Sequence, residues 1–345
     1  MVSRTVASRG HLGLLRSSLA GAVMGLAADA LVGEPPDTIH PVAAFGSAME
    51  AMERRLWADR RWRGMAFWVL GTGCGLAAGI ALAGGGAWIG RRAGYVSSGG
   101  RPRAVAGLVG GSRAGTALGT AVALAVCSAG RCLGESALAV SRALDAGDVD
   151  LARGRLRALV GRDLEGMGPA ALSAAAVESV AENTVDAVVA PGFWAAIAGA
   201  PGATCYRAVN TLDSMVGHRS ARYARFGWAS ARADDLANLV PARLTALLVA
   251  AVRPRSARSV WRALRSESRG HPSPNAGVAE SAFAAALGVQ LGGPCSYGGR
   301  LVERPVLCEG GRVPGPSDIE AAVRLSREVT VGLGMSLLAA RSVLG

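Results

Sequence analysis

The chain has 345 residues, of which half are hydrophobic, 18% are charged and 48 are Gly, with a mean hydropathy of +0.30. Few charges and many small residues point to helices packed in lipid, where Gly lets backbones approach closely. The net charge of +12 rests on 37 Arg with no Lys, which excludes a Walker A loop and a Schiff-base lysine. Six Cys without a C-x-x-C pair exclude a disulfide framework, and 5% aromatics with no recognition motif exclude a nucleic-acid binder.

In chain order, residues 17–33 are apolar except for Asp29 and follow Arg4, Arg9 and Arg16. They are expected to form a retained first helix in preference to a cleaved signal peptide. A polar run follows, Gly33-Glu34-Pro35-Pro36-Asp37-Thr38-Ile39-His40-Pro41-Val42. Its prolines hold Glu34 and His40 near the membrane surface, the alternative being a rigid loop with a helix-starting Pro. Residues 65–90 contain no charge over 26 positions, with Trp62, Trp68, Trp88, Arg63, Arg91 and Arg92 as interfacial residues. Gly71, Gly75 and Gly79 form a double G-x-x-x-G, read as a helix-packing face and not as a dinucleotide fingerprint. Residues 91–113 read as a Gly/Arg-rich loop, and 114–130 as a minimal span.

The second polar run is Glu178-Ser179-Val180-Ala181-Glu182-Asn183-Thr184-Val185-Asp186. On a helix Glu178, Glu182 and Asp186 fall on one face, where three carboxylates repel unless neutralised. Hard oxygen donors with Asn183 beside them suit Mg²⁺, which takes one or two carboxylates plus substrate phosphates; a solvated acidic face is the alternative. Residues 187–206 are uncharged but broken by Pro191, Gly192, Gly199, Pro201 and Gly202, which predicts a bent or re-entrant element lining a cavity.

The third run carries Asn210-Thr211-Leu212-Asp213-Ser214-Met215, His218-Arg219, Arg232, Asp234-Asp235-x-x-Asn238 and Pro241-Ala242-Arg243. Asp234, Asp235 and Asn238 form a second candidate Mg²⁺ shelf, Arg219, Arg232 and Arg243 are forks for phosphate or carboxylate, and His218 is a candidate proton acceptor. A structural ion-pair network is the alternative for these residues. In the fourth run, Ser273 or Asn275 caps a helix carrying Glu280. Residues 292–299 read as a turn-rich loop without chemistry, and 329–340 as a short buried or interfacial helix.

Taken together, the run 178–186, Tyr206 through Asn210-Thr211-Leu212-Asp213-Ser214-Met215, Phe226-Gly227-Trp228-Ala229-Ser230-Ala231-Arg232, Asp234-Asp235-x-x-Asn238-x-x-Pro241-Ala242-Arg243 and Ser273-Pro274-Asn275-Ala276-Gly277 resemble the adenosylcobinamide-phosphate synthases (CobD/CbiB) of cobalamin biosynthesis. The resemblance covers the chain from about residue 20 onward; the extension 1–16 and the long loop 91–113 depart from it without touching a motif. It implies an all-α, polytopic integral membrane protein of about four to six segments, a single membrane domain over 1–345. It also implies a cell inner membrane location with the site on the cytoplasmic side. The implied reaction joins adenosylcobyric acid to (R)-1-amino-2-propanol or its phosphate through an amide, linked to ATP and Mg²⁺, with contact to other late-pathway membrane enzymes.

In that chemistry His218, Asp213 and Glu178 are candidates to accept the amine's proton. Arg219, Arg232, Arg243, Asn210, Asn183, His40, Ser273 and Asn275 are candidates for substrate and phosphate. Glu182, Asp186, Asp234, Asp235 and Asn238 are candidates for the metal. A Mg²⁺-dependent membrane transferase acting on a diphosphate, and a non-catalytic corrinoid-binding scaffold, stand as alternatives.

Overall fold

The computed structural model describes residues 2–36, 38–97, 106–218, 220–266 and 273–344. It is all-α apart from two small hairpins. The helices are α1 (Val2–Val32), α2 (Pro41–Leu56), α3 (Arg61–Ser97), α4 (Ala106–Cys127), α5 (Gly130–Asp145), α6 (Val149–Leu156), α7 (Pro169–Thr184) and, after a π-helical segment Val185–Val189, α8 (Ala190–Val216). They continue as α9 (Trp228–Ala237), α10 (Leu239–Val252), α11 (Ala257–Ser266), α12 (Ala276–Leu287) and α13 (Pro316–Val343). Strands β1 (Leu291–Gly292) and β4 (Val306–Leu307) pair antiparallel, as do β2 (Cys295–Tyr297) and β3 (Arg300–Val302).

Five stretches are long and apolar enough to cross a membrane: Leu12–Val32, Arg61–Gly86, Arg113–Asp145, Pro169–Val216 and Trp228–Val252. Backbone packing gathers the chain into two compact units. The first takes Met1–Ala129, Ala190–Ala237 and Gly334–Gly345, the second Gly130–Val189 and Asn238–Leu333.

In the first unit α1 and α3 each pack on α4 and α8. Small residues make this possible. A methyl group on Gly75 would stand 2.6 Å from the Ala208 Cβ, and one on Gly79 would stand 2.3 Å from Thr204 Oγ1. The double G-x-x-x-G of α3 is therefore the seam against α8, as its spacing predicts. Helix α1 buries Leu19, Ala22 and Leu26 within this bundle. Helix α8 bends as expected, at Gly199 (φ 65, ψ −149), two residues before Pro201. Pro191 and Gly192 cause no break: the helix runs on through them where the π-helical segment hands over to α8.

The second unit is built around α7 and α12, which pack on each other; α12 also packs on α10 and α11. Ala276–Ala285 is a continuously buried run. Three expectations change. Residues 91–97 and 106–113 continue α3 and α4, so the expected loop is largely helix, and residues 98–105 lie outside those described. The helix expected over 329–340 begins at Pro316: Asp318 pairs with Arg312 and accepts from the Gly315 N–H at 2.9 Å, which closes the N-terminus. The turn-rich segment 292–299 forms parts of both hairpins.

Candidate functional site

The polar residues collect in one cluster in each unit. In the second unit, Glu178 is buried near the middle of α7. Its Oε2 accepts from Arg162 and, at 3.2 Å, from Arg304 Nη1, while its Oε1 accepts from the Gly292 N–H at 2.7 Å. The Arg304 Nη2 donates to Glu280 on α12, which is equally buried. Buried carboxylates persist as ions only with such partners.

Glu178 has two guanidinium groups and an N–H, and Glu280 shares the Arg304 guanidinium with it. Burial pushes the Glu280 carboxyl up to about 8, the neighbouring Glu178 adds to the rise, and the attraction of Arg304 only partly offsets it. Burial works against the charge on Arg304, but Glu280 and Glu178 outweigh it and hold the guanidinium firmly protonated.

Beside this cluster lies a cavity of about 860 Å³, lined by Arg162, Glu178 and Cys295 together with Leu164, Met167 and Leu301. Its rim is tied by Asp163, whose carboxylate accepts from the Ser296 hydroxyl at 2.6 Å and from the N–H groups of Gly298 and Gly299 at 3.0 and 2.8 Å. The Ser296 and backbone bonds hold that carboxyl below the usual carboxylate range.

One turn beyond Glu178, Glu182 is exposed, and Asp186 is half-buried within the π-helical segment. The simple three-carboxylate face is thus divided: Glu178 closes an ion-pair cluster, Glu182 faces outward, and the wider π turn takes Asp186 off α-helical spacing. Asn183 commits its amide donor to the Ser179 carbonyl at 2.9 Å. Arg243 donates to Asn275 Oδ1 at 2.8 Å, and Ser273 Oγ accepts from the N–H groups of Asn275 and Ala276 at 3.3 and 3.2 Å. Ser273, not the Asn275 side chain, therefore supports the start of α12. Asn238 is buried at the junction between α9 and α10.

In the first unit the cluster runs along the second half of α8. Arg207 Nε donates to the Cys127 carbonyl at 2.8 Å, and its Nη1 donates to Asn210 Oδ1 at 3.3 Å; the Asn210 amide donates in turn to Asp234 Oδ1 on α9 at 3.3 Å. Arg232 pairs with Asp235 at 3.6 Å. The Asp213 carboxylate lies over Gly217, where a methyl group would stand 1.8 Å from its Oδ1. Only glycine leaves that oxygen its place.

His218 is exposed, with its ring edge-on to Tyr223 at 6.0 Å. Tyr223 and Arg222 both donate to the buried Glu53 of α2, at 3.3 and 3.0 Å, which pins the segment bearing His218. Arg219 lies outside the described residues. His40 caps α2 by accepting from the Val42 N–H at 3.2 Å and stands 3.8 Å from Glu34, the rigid-loop role named as the alternative.

The candidate residues are thus divided between the units: His40, Asn210, Asp213, His218, Arg232, Asp234 and Asp235 in the first, and Glu178, Glu182, Asn183, Asp186, Asn238, Arg243, Ser273 and Asn275 in the second. Among the described residues, no three His, Cys, Asp or Glu side chains come together to hold a metal ion unaided. Sequence reasoning missed Arg162, Arg207 and Arg304. Only Arg207 carries a local signal, as a lone charge in an apolar stretch. It borders an apolar cavity of about 580 Å³ together with Phe45, Ala78, Val122 and Thr204.

The family model described as CobD/Cbib protein matches residues 22–326. The chain is 43% identical over 315 residues to the cobalamin biosynthesis protein CobD of Mycobacterium tuberculosis, covering 90% of this chain and 92% of that protein. It is 42% identical over 296 residues to that of Geobacter metallireducens, covering 84% and 86%. Against that of Pelobacter propionicus it is 37% identical over 328 residues, covering 93% and 94%. No solved structure matches the chain.

Proposed function

This chain belongs to the CobD/Cbib family, and from that premise we propose that it is a membrane enzyme of cobalamin biosynthesis. It forms the amide between the propionate carboxyl of adenosylcobyric acid and (R)-1-amino-2-propanol or its phosphate, as an ATP- and Mg²⁺-dependent ligase at the cytoplasmic side of the inner membrane. The observation that carries the reading is near-full-length identity to proteins named for cobalamin biosynthesis.

The residues present fit Mg²⁺. Asp234 with Asp235 offers a carboxylate pair on α9, and a set of two suits an ion that also takes substrate phosphates. Bound there, Mg²⁺ would neutralise phosphate charge during ATP-dependent activation of the carboxyl group.

The chain's own groups supply the rest. With no Lys, Arg232, Arg243, Arg219 and Arg207 are the forks for phosphate and carboxylate. Asn210 bridges Arg207 and Asp234 through its neutral amide, and Asn183 offers its carbonyl oxygen to substrate. Ser273 orders the entry to α12, where Asn275 is held by Arg243. As the amine attacks the activated carboxyl, phosphate leaves with the carboxyl oxygen and the amine gives up a proton. Exposed His218 accepts it, with Asp213 five residues before it in the chain. Glu178 is committed to two guanidinium groups and serves to hold its cluster together.

The test is purified protein in detergent supplied with adenosylcobyric acid, aminopropanol phosphate or aminopropanol, and MgATP, with products read by mass. The amide product with matching ATP cleavage is expected. Its absence with both amines overturns the reading.

A further inference from the structure

Helix α10 ends the apolar stretch Trp228–Val252, and a single turn, Pro254–Ser256, leads straight into α11. The segment 253–269 carries six Arg and one Glu. Helix α11 sorts these residues sharply: Val260 and Ala263 are buried toward α10 and α12, while Arg258, Trp261, Arg262 and Arg265 are exposed.

At α-helical spacing those four exposed residues fall within about 100° of arc. The outer face is thus three guanidinium groups around one large aromatic ring, with Arg265 stacked over Trp261 at 5.1 Å. Among the described residues no carboxylate pairs with Arg258, Arg262 or Arg265. Arg253, by contrast, is paired with Glu328 at 2.9 Å. Like charges at i,i+3 and i,i+4 repel, and a Trp 48% exposed costs solvation, so this face is disfavoured in plain water. Both features suit the head-group layer, where phosphate is anionic and an indole has one wet and one apolar side.

We infer that the outer face of α11 binds the anionic phospholipid head groups of the leaflet at which α10 ends. The helix lies along the surface as an interfacial collar.

Full-length protein in mild detergent, offered phosphatidylglycerol and phosphatidylcholine in equal amounts, tests this by native mass spectrometry of the retained lipid. Wild type retains phosphatidylglycerol over phosphatidylcholine by roughly tenfold, and high salt erodes the preference. Arg258→Gln, Arg262→Gln and Arg265→Gln together bring it near parity, while Lys at all three positions keeps most of it. No preference in wild type, or an unchanged preference in the Gln variant, overturns the inference.

Should the Gln variant not fold, the difference in emission between wild type and Trp261→Phe in phosphatidylglycerol nanodiscs decides. Trp261 emission is quenched by a lipid carrying a head-group nitroxide and spared by aqueous iodide. Quenching by iodide alone overturns the inference, as does binding of a soluble polyanion with no discrimination between the lipids.

Discussion

Glu178 and Asp234 are both acidic residues on helices of largely apolar stretches, and each belongs to a motif run of the family, yet their surroundings differ. Glu178 is buried against Arg162, Arg304 and a backbone N–H. Asp234 is half-buried and accepts from the neutral amide of Asn210. A carboxylate closed by guanidinium groups has its charge cancelled locally and serves the fold. An amide donor cancels less of a carboxylate's charge than a guanidinium does, and leaves more of it for a cation or an activated substrate to respond to. The lesson is that an acidic motif residue is assigned by the charge of its partner and not by its place in the motif.

Substituting the members of each cluster breaks or sharpens that contrast. The largest effect is expected at Asp234: Asp234→Asn lowers amide product about 100-fold or more while the melting profile in detergent stays near wild type. A stable, fully active variant would remove Asp234 from the site. Next, Arg304→Met removes the guanidinium that Glu178 and Glu280 share in the second unit and lowers stability by about 3–5 kcal/mol, read as loss of the folded fraction in denaturant. A variant as stable as wild type would show that the cluster is not what holds α7 to α12.

The smallest effect is one of pH. Because Glu280 is raised from 4.5 to about 8, the folded chain keeps a proton in that interval that the unfolded chain has released. Stability from this group is therefore complete below about 4.5 and is lost as pH rises to about 8. Glu280→Gln should flatten that decline in unfolding measurements across the interval, and an unchanged slope would place the proton elsewhere.

Much of this was readable before the fold was known. The seam of Gly71, Gly75 and Gly79, the bend of α8 and the apolar stretches are local properties of spacing and composition. The Glu178 cluster was not readable, because Arg162 lies 16 residues away and Arg304 lies 126 away, and no periodicity joins them. The hairpins escaped for a different reason: strands of two or three residues are too short to show alternation. Asn275 was legible as polar at a helix start, but its bond to Arg243 spans 32 residues, so capping was the only local explanation on offer.

The left-handed backbone at Gly199 has a reach beyond its own position. It breaks α8 into two rods, and the second rod carries Arg207, Asn210 and Asp213. An unbroken helix would aim those three along an axis already set by its first turn. Here their direction is chosen by one residue that has no side chain, with Pro201 preventing the helix from re-forming across the joint. The heading of a whole row of polar groups is thereby decoupled from the chemistry of the groups themselves, so either can change without disturbing the other.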